Sequence, residues 1–381
     1  MKSLFLLLFA CAPIALFGQT TTTETTIING VTRTYRLYIP GIYTQGTAVP
    51  VVFNFHGYGS NNVEQEAYGD FRPIADTANF IIVHPQGLSV NGSTGWNNFG
   101  LPAQAQADIQ FVEQIITEIS NTYSINSNRI YSTGMSNGGF MSNDLACFLS
   151  HRFAAIASVT GGMTVLHKNA CNPSHPVPMM QIHGTTDAVV PYTGGGAVGF
   201  LHVDSLVKFW RNFNQCDATP IFTAIPNLVT TDNCTAEHYV WKNGLQGSSV
   251  ELYKIINGGH TWPGAIFPVN GNTNKDFKAS TEIWRFFSQY SLQQLTASTT
   301  ETANDETISV YPNPTTNQFV ITVENPANYH LRILDVTGKQ VLFQEITEKK
   351  TVLNVNYPSG LYLYEIQFQG EKRKSGKITI N

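Results

Sequence analysis

"RIYSTGMSNGGFMSNDLACFL", residues 129–149, is the stretch that decides the fold. Its first part, 129–133, reads as a short buried strand. From Asn137 onward, Phe140, Leu145 and Phe148 fall on one side of a helix. Between the two halves Ser136 stands in a G-x-S-x-G spacing, flanked by Gly134 and Gly138. Strand, sharp turn and helix are the context in which a serine is held out as a nucleophile. The glycines lack a Cβ, so strand and helix can approach closely behind it. The helix N-terminus also aims backbone N–H groups at the same point, which suits a developing oxyanion. The spacing alone is weak, because Gly and Ser are common turn residues. The reading therefore depends on an acid and a base further along the chain.

Outward from this stretch, strands and helices alternate. "VPVVFNFHGYG" (49–59), "FIIVHPQG" (80–87), "FAAIASVTG" (153–161) and "VPMMQIHG" (177–184) are short and almost wholly apolar, as strands buried on both faces are. "DIQFVEQIITEISNTY" (108–123), "VDSLVKFWRNF" (203–213) and "STEIWRFFSQY" (280–290) have helical periodicity, and "SVELYKIING" (249–258) is a further strand. "IINGVTRTYRLYIP" (27–40) reads as a hairpin turning at Asn29-Gly30. The fold class is α/β, a mainly parallel sheet with helices on both faces.

A serine hydroxyl needs a base. In this kind of sheet the chain order is Ser, then Asp or Glu, then His. Asp187 lies just past the strand "VPMMQIHG", where such sheets place their sites. Asp204, Asp217 and Asp232 do not follow an apolar strand so directly. Of the later histidines, His202 begins a helix, while His238 and His330 read as strand positions. His260 stands in the loop "INGGHTWPG" after the strand and is taken as the base, with Asp187 orienting its ring. The expected oxyanion donors are the backbone N–H of Asn137 and of Tyr58, in "FHGYGS". His56 in that loop reads as structural. "GGGAVG" (194–199) formally matches a dinucleotide motif but does not link a strand tightly to a helix, so it reads as a connection. Trp96, in "STGWNNFG", and Trp262 have two readings: each indole packs its loop onto the body, or one lines the acyl pocket. The second is the expectation, with both assigned to substrate binding.

Composition sets the remaining limits. Net charge is −4 and charged residues are 13 % of the 381, so no strongly basic face and no nucleic-acid partner are implied. "MKSLFLLLFACAPIALFGQ" reads as a secretory signal peptide cut after Gly18, too short to span a membrane. A lipoprotein signal at Cys11 is the competing reading, disfavoured because the apolar run continues past it. Four cysteines then remain: Cys147, Cys171, Cys216 and Cys234. An even number in an exported chain reads as disulfides with three possible pairings. There is no C-x-x-C and no H-E-x-x-H, so no metal site is expected. The catalytic domain is expected over 19–290. "SLQQLTASTTETANDE" (291–306) reads as a linker, and 307–381 as a small all-β sandwich without catalytic residues.

With these residues assembled, the chain resembles a known family. "HGYGSN", "GMSNGGFMSNDLACFLSHRFAAIASVTGGM", "HGTTDAVVPYTGGG" and "GGHTWPG" are similar to the esterase and poly(3-hydroxybutyrate) depolymerase family. That family also holds the feruloyl and acetyl-xylan esterases of carbohydrate esterase family 1. The resemblance covers roughly 30–290. It implies an α/β-hydrolase fold, no cofactor, Ser136, Asp187 and His260 as the triad, and disulfides 147–171 and 216–234. Many members have Cys where this chain has Tyr58, so the oxyanion contact there rests on a backbone N–H. The C-terminal segment, opened by "YPNP" and closed by "GLYLYEI…SGKITIN", is similar to the type A sorting domain of the Bacteroidetes type IX secretion system. The resemblances imply a secreted or cell-surface serine esterase with a polymeric ester substrate and the type IX machinery as partner. Plant-wall feruloyl or acetyl esters rank first and polyesters second. A catalytically inactive binding protein on the same scaffold is the remote alternative.

Overall fold

The computed structural model describes residues 19–267, 270–296, 308–316, 318–323, 326–335, 339–354, 357–368 and 371–380. The expected signal peptide lies outside them. The chain divides into two compact units, Met1–Ala297 and Ser298–Asn381.

The first unit is built on β1 (Thr20–Ile28), β2 (Val31–Ile39), β3 (Val49–Phe55), β4 (Ile81–Pro85), β5 (Leu88–Val90), β6 (Ser93–Gly95), β7 (Ile125–Met135), β8 (Ala155–Val159), β9 (Met179–Gly184), β10 (Ile221–Ile225), β11 (Thr235–Trp241) and β12 (Val250–Ile256). Its helices are α1 (Asn62–Tyr68), α2 (Arg72–Ala78), α3 (Gln106–Thr122), α4 (Asn137–Phe148), α5 (Val165–Ala170), α6 (Val203–Phe213), α7 (Ala279–Phe287) and α8 (Leu292–Thr296). Ten strands form one sheet in the order β1-β2-β4-β3-β7-β8-β9-β12-β11-β10. The run from β4 to β12 is parallel throughout. At one edge β1 and β2 join antiparallel, and at the other β11 and β10 do.

Alternation along β3 explains the two-sided core. Val51, Phe53 and Phe55 share one apolar cluster with Ile109, Val112 and Ile116 of α3. Val52 joins another with Phe71 and Ala75 near α2 and with Ile283, Phe286 and Phe287 of α7. A strand covered on both faces can have no polar face, which is why the sequence reads as a continuous apolar run. The Asn29-Gly30 turn has both residues at positive φ (51° and 79°), as a two-residue hairpin between twisted strands demands.

Three expectations need correction. The 291–306 segment is not linker from its start: Leu292–Thr296 is helical, and Leu292 and Leu295 are buried against the body. Residues 297–306 lie outside the described ones. Of the cysteines, Cys147 and Cys171 form a disulfide, tying α4 to the end of α5. Cys216 and Cys234 are free thiols. Cys216 Sγ lies by the carbonyl of Ser248 before β12, and Cys234 Sγ by that of Asn257 after it. A seven-residue strand therefore separates them, about 20 Å at the usual rise and far beyond the reach of a disulfide. The third correction, to the two tryptophans, belongs with the site.

The second unit holds β13 (Ile308–Tyr311), β14 (Gln318–Val323), β15 (Tyr329–Leu334), β16 (Gln340–Ile346), β17 (Lys350–Asn354), β18 (Gly360–Phe368) and β19 (Glu371–Ile380). They form two antiparallel sheets, β13-β14-β17 and β16-β15-β18-β19. Phe319 and Ile321 of one sheet share a core with Leu331, Ile333 and Ile366 of the other, so the unit is a small β-sandwich.

Candidate active site

Ser136 occupies the turn between β7 and α4 at φ 56°, ψ −123°. An L-residue reaches this region only under strain, and such outliers cluster at functional positions. The packing around the turn explains what holds it. A Cβ on Gly138 would lie 2.2 Å from the carbonyl oxygen of Phe55, and one on Gly134 2.6 Å from the Gly138 backbone. Only glycine permits that approach of strand and helix. The Ser136 N–H donates to the Val159 carbonyl at 2.8 Å, pinning the turn to β8.

Asp187 and His260 come from the loops after β9 and β12, two adjacent parallel strands. His260 Nδ1 donates to Asp187 Oδ2 at 2.8 Å. The other carboxylate oxygen accepts from the backbone N–H of Val189 (2.8 Å) and Val190 (2.9 Å). The Asp187 side chain is wholly buried, so its charge is balanced by these donors and the imidazole. With Nδ1 spent on the carboxylate, the His260 Nε2 lone pair is left for an incoming proton. Among the described residues neither Ser136 Oγ nor His260 Nε2 has a hydrogen-bond partner in the protein. Both residues line one cavity of about 600 Å³.

The cavity is also lined by Gly57, Tyr58, Met135 and Val189 and by the rings of Tyr68 and Phe267. Burial pushes the Tyr68 phenol up to about 12, so it remains a neutral donor. Among the described residues the backbone N–H groups of Tyr58 and Asn137 are bonded to no protein acceptor. Both belong to residues beside Ser136: Asn137 follows it in the chain, and a Cβ on Gly57 would lie 3.3 Å from the serine Cβ. His56 is neutral and structural. Its Nδ1 donates to the Gly57 carbonyl, its Nε2 accepts from the Gly87 N–H, and burial lowers its pKa.

Trp96 and Trp262 do not line the cavity. They are 0 % and 1 % exposed. Trp96 Nε1 donates to the His56 carbonyl and its ring packs edge-on against Phe55. Trp262 Nε1 donates to Ser280 Oγ and its ring meets Phe71 edge-on. Each indole has found a buried partner for its one polar atom, which makes it core. Rings do line the cavity, but they are Tyr58, Tyr68 and Phe267.

Two supporting groups escaped the sequence reading. The Asn137 side chain accepts from the Trp96 N–H (2.7 Å) and donates to the Trp96 carbonyl and to Asn98 Oδ1 (2.6 Å). Asn98 Nδ2 returns a bond to the Asn137 carbonyl. The residue after the serine is thus clamped to the Trp96 loop. His183 lies behind the acid, its Nε2 donating to the Val190 carbonyl at 2.8 Å and standing 3.4 Å from Asp187 Oδ2. Burial lowers its pKa, so it is neutral. Its only sequence signal was its place at the strand end, four residues before Asp187. "GGGAVG" closes a reversal through paired backbone bonds between Gly195 and Phe200. Among the described residues no group of three or more His, Cys, Asp or Glu could hold a metal ion. No helix among them is long and apolar enough to cross a membrane.

The phospholipase/carboxylesterase family model matches residues 43–214. Over those residues the chain is similar to that family. The chain is a carboxylic-ester hydrolase. It is 25 % identical over 264 residues to the bifunctional acetylxylan esterase/xylanase XynS20E of Neocallimastix patriciarum. It is 27 % identical over 230 residues to feruloyl esterase B of Piromyces equi. The alignments take in 69 % and 58 % of this chain but only 34 % and 41 % of those longer proteins. Among solved structures, the acetyl xylan esterase from Aspergillus awamori superposes with a TM-score of 0.51 at 15 % identity. That alignment covers 70 % of this chain and 99 % of the other, a likeness of fold. Residues 309–381 match the secretion system C-terminal sorting domain, so the esterase is an exported protein of the cell surface or its surroundings.

Proposed function

We propose that the esterase works by serine acyl transfer, with Ser136 as nucleophile, His260 as general base and acid, and Asp187 as the group that orients the imidazole. The observation that carries this reading is the shared cavity. A strained serine and an imidazole fixed through its far nitrogen face the same space. Ser136 Oγ attacks the ester carbonyl as His260 Nε2 takes its proton. The oxyanion is received by the Tyr58 and Asn137 N–H groups, and one such donor is typically worth about 10²–10³ in kcat. The alcohol leaves with the proton from His260, and water, activated by the same imidazole, releases the acid.

Ser136→Ala lowers kcat on the order of 10⁶-fold while the protein still folds. A folded variant that keeps most of its turnover of a p-nitrophenyl ester disproves the assignment, and with it the distinction from an inactive binding protein.

For substrate, we place plant cell-wall feruloyl or acetyl esters on xylan first. The relatives bear acetylxylan and feruloyl esterase names, and three aromatic rings line the cavity, where a flat acyl group can pack. A polyester is the second reading, favoured by Ile266 and Phe267, 84 % and 68 % exposed near the cavity mouth. The test compares kcat/KM for methyl ferulate, acetylated xylan and polyhydroxybutyrate. Phe267→Ala lowers the value for methyl ferulate about tenfold and spares a small acetyl ester. Preference for the polyester reverses the ranking. Export proceeds through the type IX machinery, with the C-terminal β-sandwich as its signal.

A further inference from the structure

The far edge of the large sheet carries an aromatic groove that the ester chemistry does not use. Among the described residues β10 pairs only with β11 and ends the sheet. Phe222 stands opposite Tyr239 in that pairing, and Trp241 follows two residues on, so all three rings point to one face. Their centroids form a row, 5.2 Å from Phe222 to Tyr239 and 6.2 Å from Tyr239 to Trp241. Phe222 is 54 % exposed. A cavity of about 200 Å³ runs between Trp241 and the outer side of α6, where Asp204, Lys208 and Arg211 form the wall. Glu237, which accepts from the Tyr239 hydroxyl at 2.8 Å, adds a second carboxylate.

We propose that this groove binds a neutral polysaccharide chain and anchors the enzyme on its polymeric substrate. The inference rests on the carbohydrate-ester reading above. A sugar ring offers an apolar face of C–H bonds and a rim of hydroxyls. A row of aromatic rings meets the first, and carboxylate, ammonium and guanidinium groups at its border meet the second. The border carries two acids, Asp204 and Glu237, and two bases, Lys208 and Arg211. That balance suits an uncharged hydroxyl-rich ligand and disfavours an anionic polymer. A row of three rings also outruns a single sugar, which selects a chain.

The groove lies away from the catalytic loops. Trp241 pairs with Val250 at the start of β12, whereas His260 follows its end. Binding there adds no contact to the reacting ester. It raises the local concentration of enzyme on the polymer, and its effect is confined to polymeric substrates.

The test uses full-length chain carrying Ser136→Ala, so that binding is read without turnover. Binding to insoluble unsubstituted xylan and to cellulose is measured by sedimentation, with and without Phe222→Ala and Trp241→Ala. The expected result is retention of the parent on at least one of these and about tenfold weaker retention of the double variant. Phe222→Ala alone, at an exposed position, gives a partial loss. Made separately in the chain that keeps its native Ser136, Phe222→Ala and Trp241→Ala leave kcat/KM for p-nitrophenyl acetate at the wild-type value, which shows that they fold. Equal retention of variant and parent, or no retention of the parent, overturns the proposal. So does a dimer that dissociates on substitution, which would make the groove an interface between copies. Retention without hydrolysis of any wall ester would instead refute the substrate reading and leave the groove standing.

Discussion

At the scale of single residues, burial decided what the sequence left ambiguous. Trp262 sits two residues after His260 in a loop rich in glycine, and only the structure shows its indole enclosed by Phe71 and Ser280. Its replacement by alanine therefore acts on stability, costing about 3–5 kcal/mol in chemical denaturation. The relative kcat/KM of aromatic and aliphatic esters stays unchanged in whatever protein remains folded. A shift in that ratio without loss of stability would return Trp262 to the substrate. The thiols allow a second check at this scale. Protein lacking residues 1–18, unfolded without reductant, titrates two thiols, from Cys216 and Cys234; none would signal a second bridge. The strand-end positions of the proposed triad, Ser136, Asp187 and His260, were legible because each follows an apolar parallel strand, and strand ends are where this architecture gathers side chains. The cavity rings were not legible. Tyr68 and Phe267 sit on a short helix and in a loop, where no periodicity tells which way a side chain turns.

At the scale of elements, buried polar pairs fasten the helices around the site. Asp108 at the start of α3 holds Arg33 of β2 at 2.9 Å, and its second oxygen accepts from the N–H of Asn97, beside the Asn98 that clamps Asn137. A comparable pair joins α4 to α5: His167 Nδ1 lies 2.6 Å from Asp144 Oδ1. Burial pushes Asp144 up to about 6, against the lowering influence of His167. Burial alone would lower His167, but the hydrogen bond and charge of Asp144 outweigh it, and its pKa is raised. Both groups hold protons more tightly in the folded protein than in the unfolded chain, so stability falls as pH rises. The contribution is complete below the unfolded carboxylate value of about 4 and is lost as pH climbs through about 6 and past the raised histidine value. Thermal melts of wild type and Asp144→Asn/His167→Gln should therefore differ most at about pH 4, shrink through about pH 6 and converge toward about pH 8. A difference that grows with pH would reverse the sign and refute the account. None of this was visible in the sequence, because α5 is a six-residue helix with too few turns to show an apolar stripe.

At the scale of the whole molecule, the question is where the catalytic unit ends. Composition alone sets the boundary at Tyr290, since Thr, Ser and acidic residues dominate from there on. The structure carries the body through α8. Leu292 and Leu295 are 6 % and 1 % exposed and join the apolar cluster of Phe286, Phe287 and Tyr290. Tyr290 is itself anchored, its carbonyl accepting from the Tyr131 hydroxyl at 2.7 Å and its own hydroxyl bonding Ser249 Oγ at 2.6 Å. Two leucines in a polar stretch are easily missed, yet burying each is worth about 1.5–3 kcal/mol before the compactness of the unfolded chain is discounted. Against a total stability of about 5–15 kcal/mol, their loss is not small. A chain ending at Thr296 should keep the full-length kcat/KM on p-nitrophenyl acetate and unfold at the same denaturant midpoint as the full-length esterase unit. A chain ending at Tyr290 should be active but less stable by about 2–4 kcal/mol. Equal stability of the two truncations would return α8 to the linker. A folded but inactive chain ending at Thr296 would mean that the β-sandwich supplies part of the site, and the division into an esterase unit and an export signal would fall.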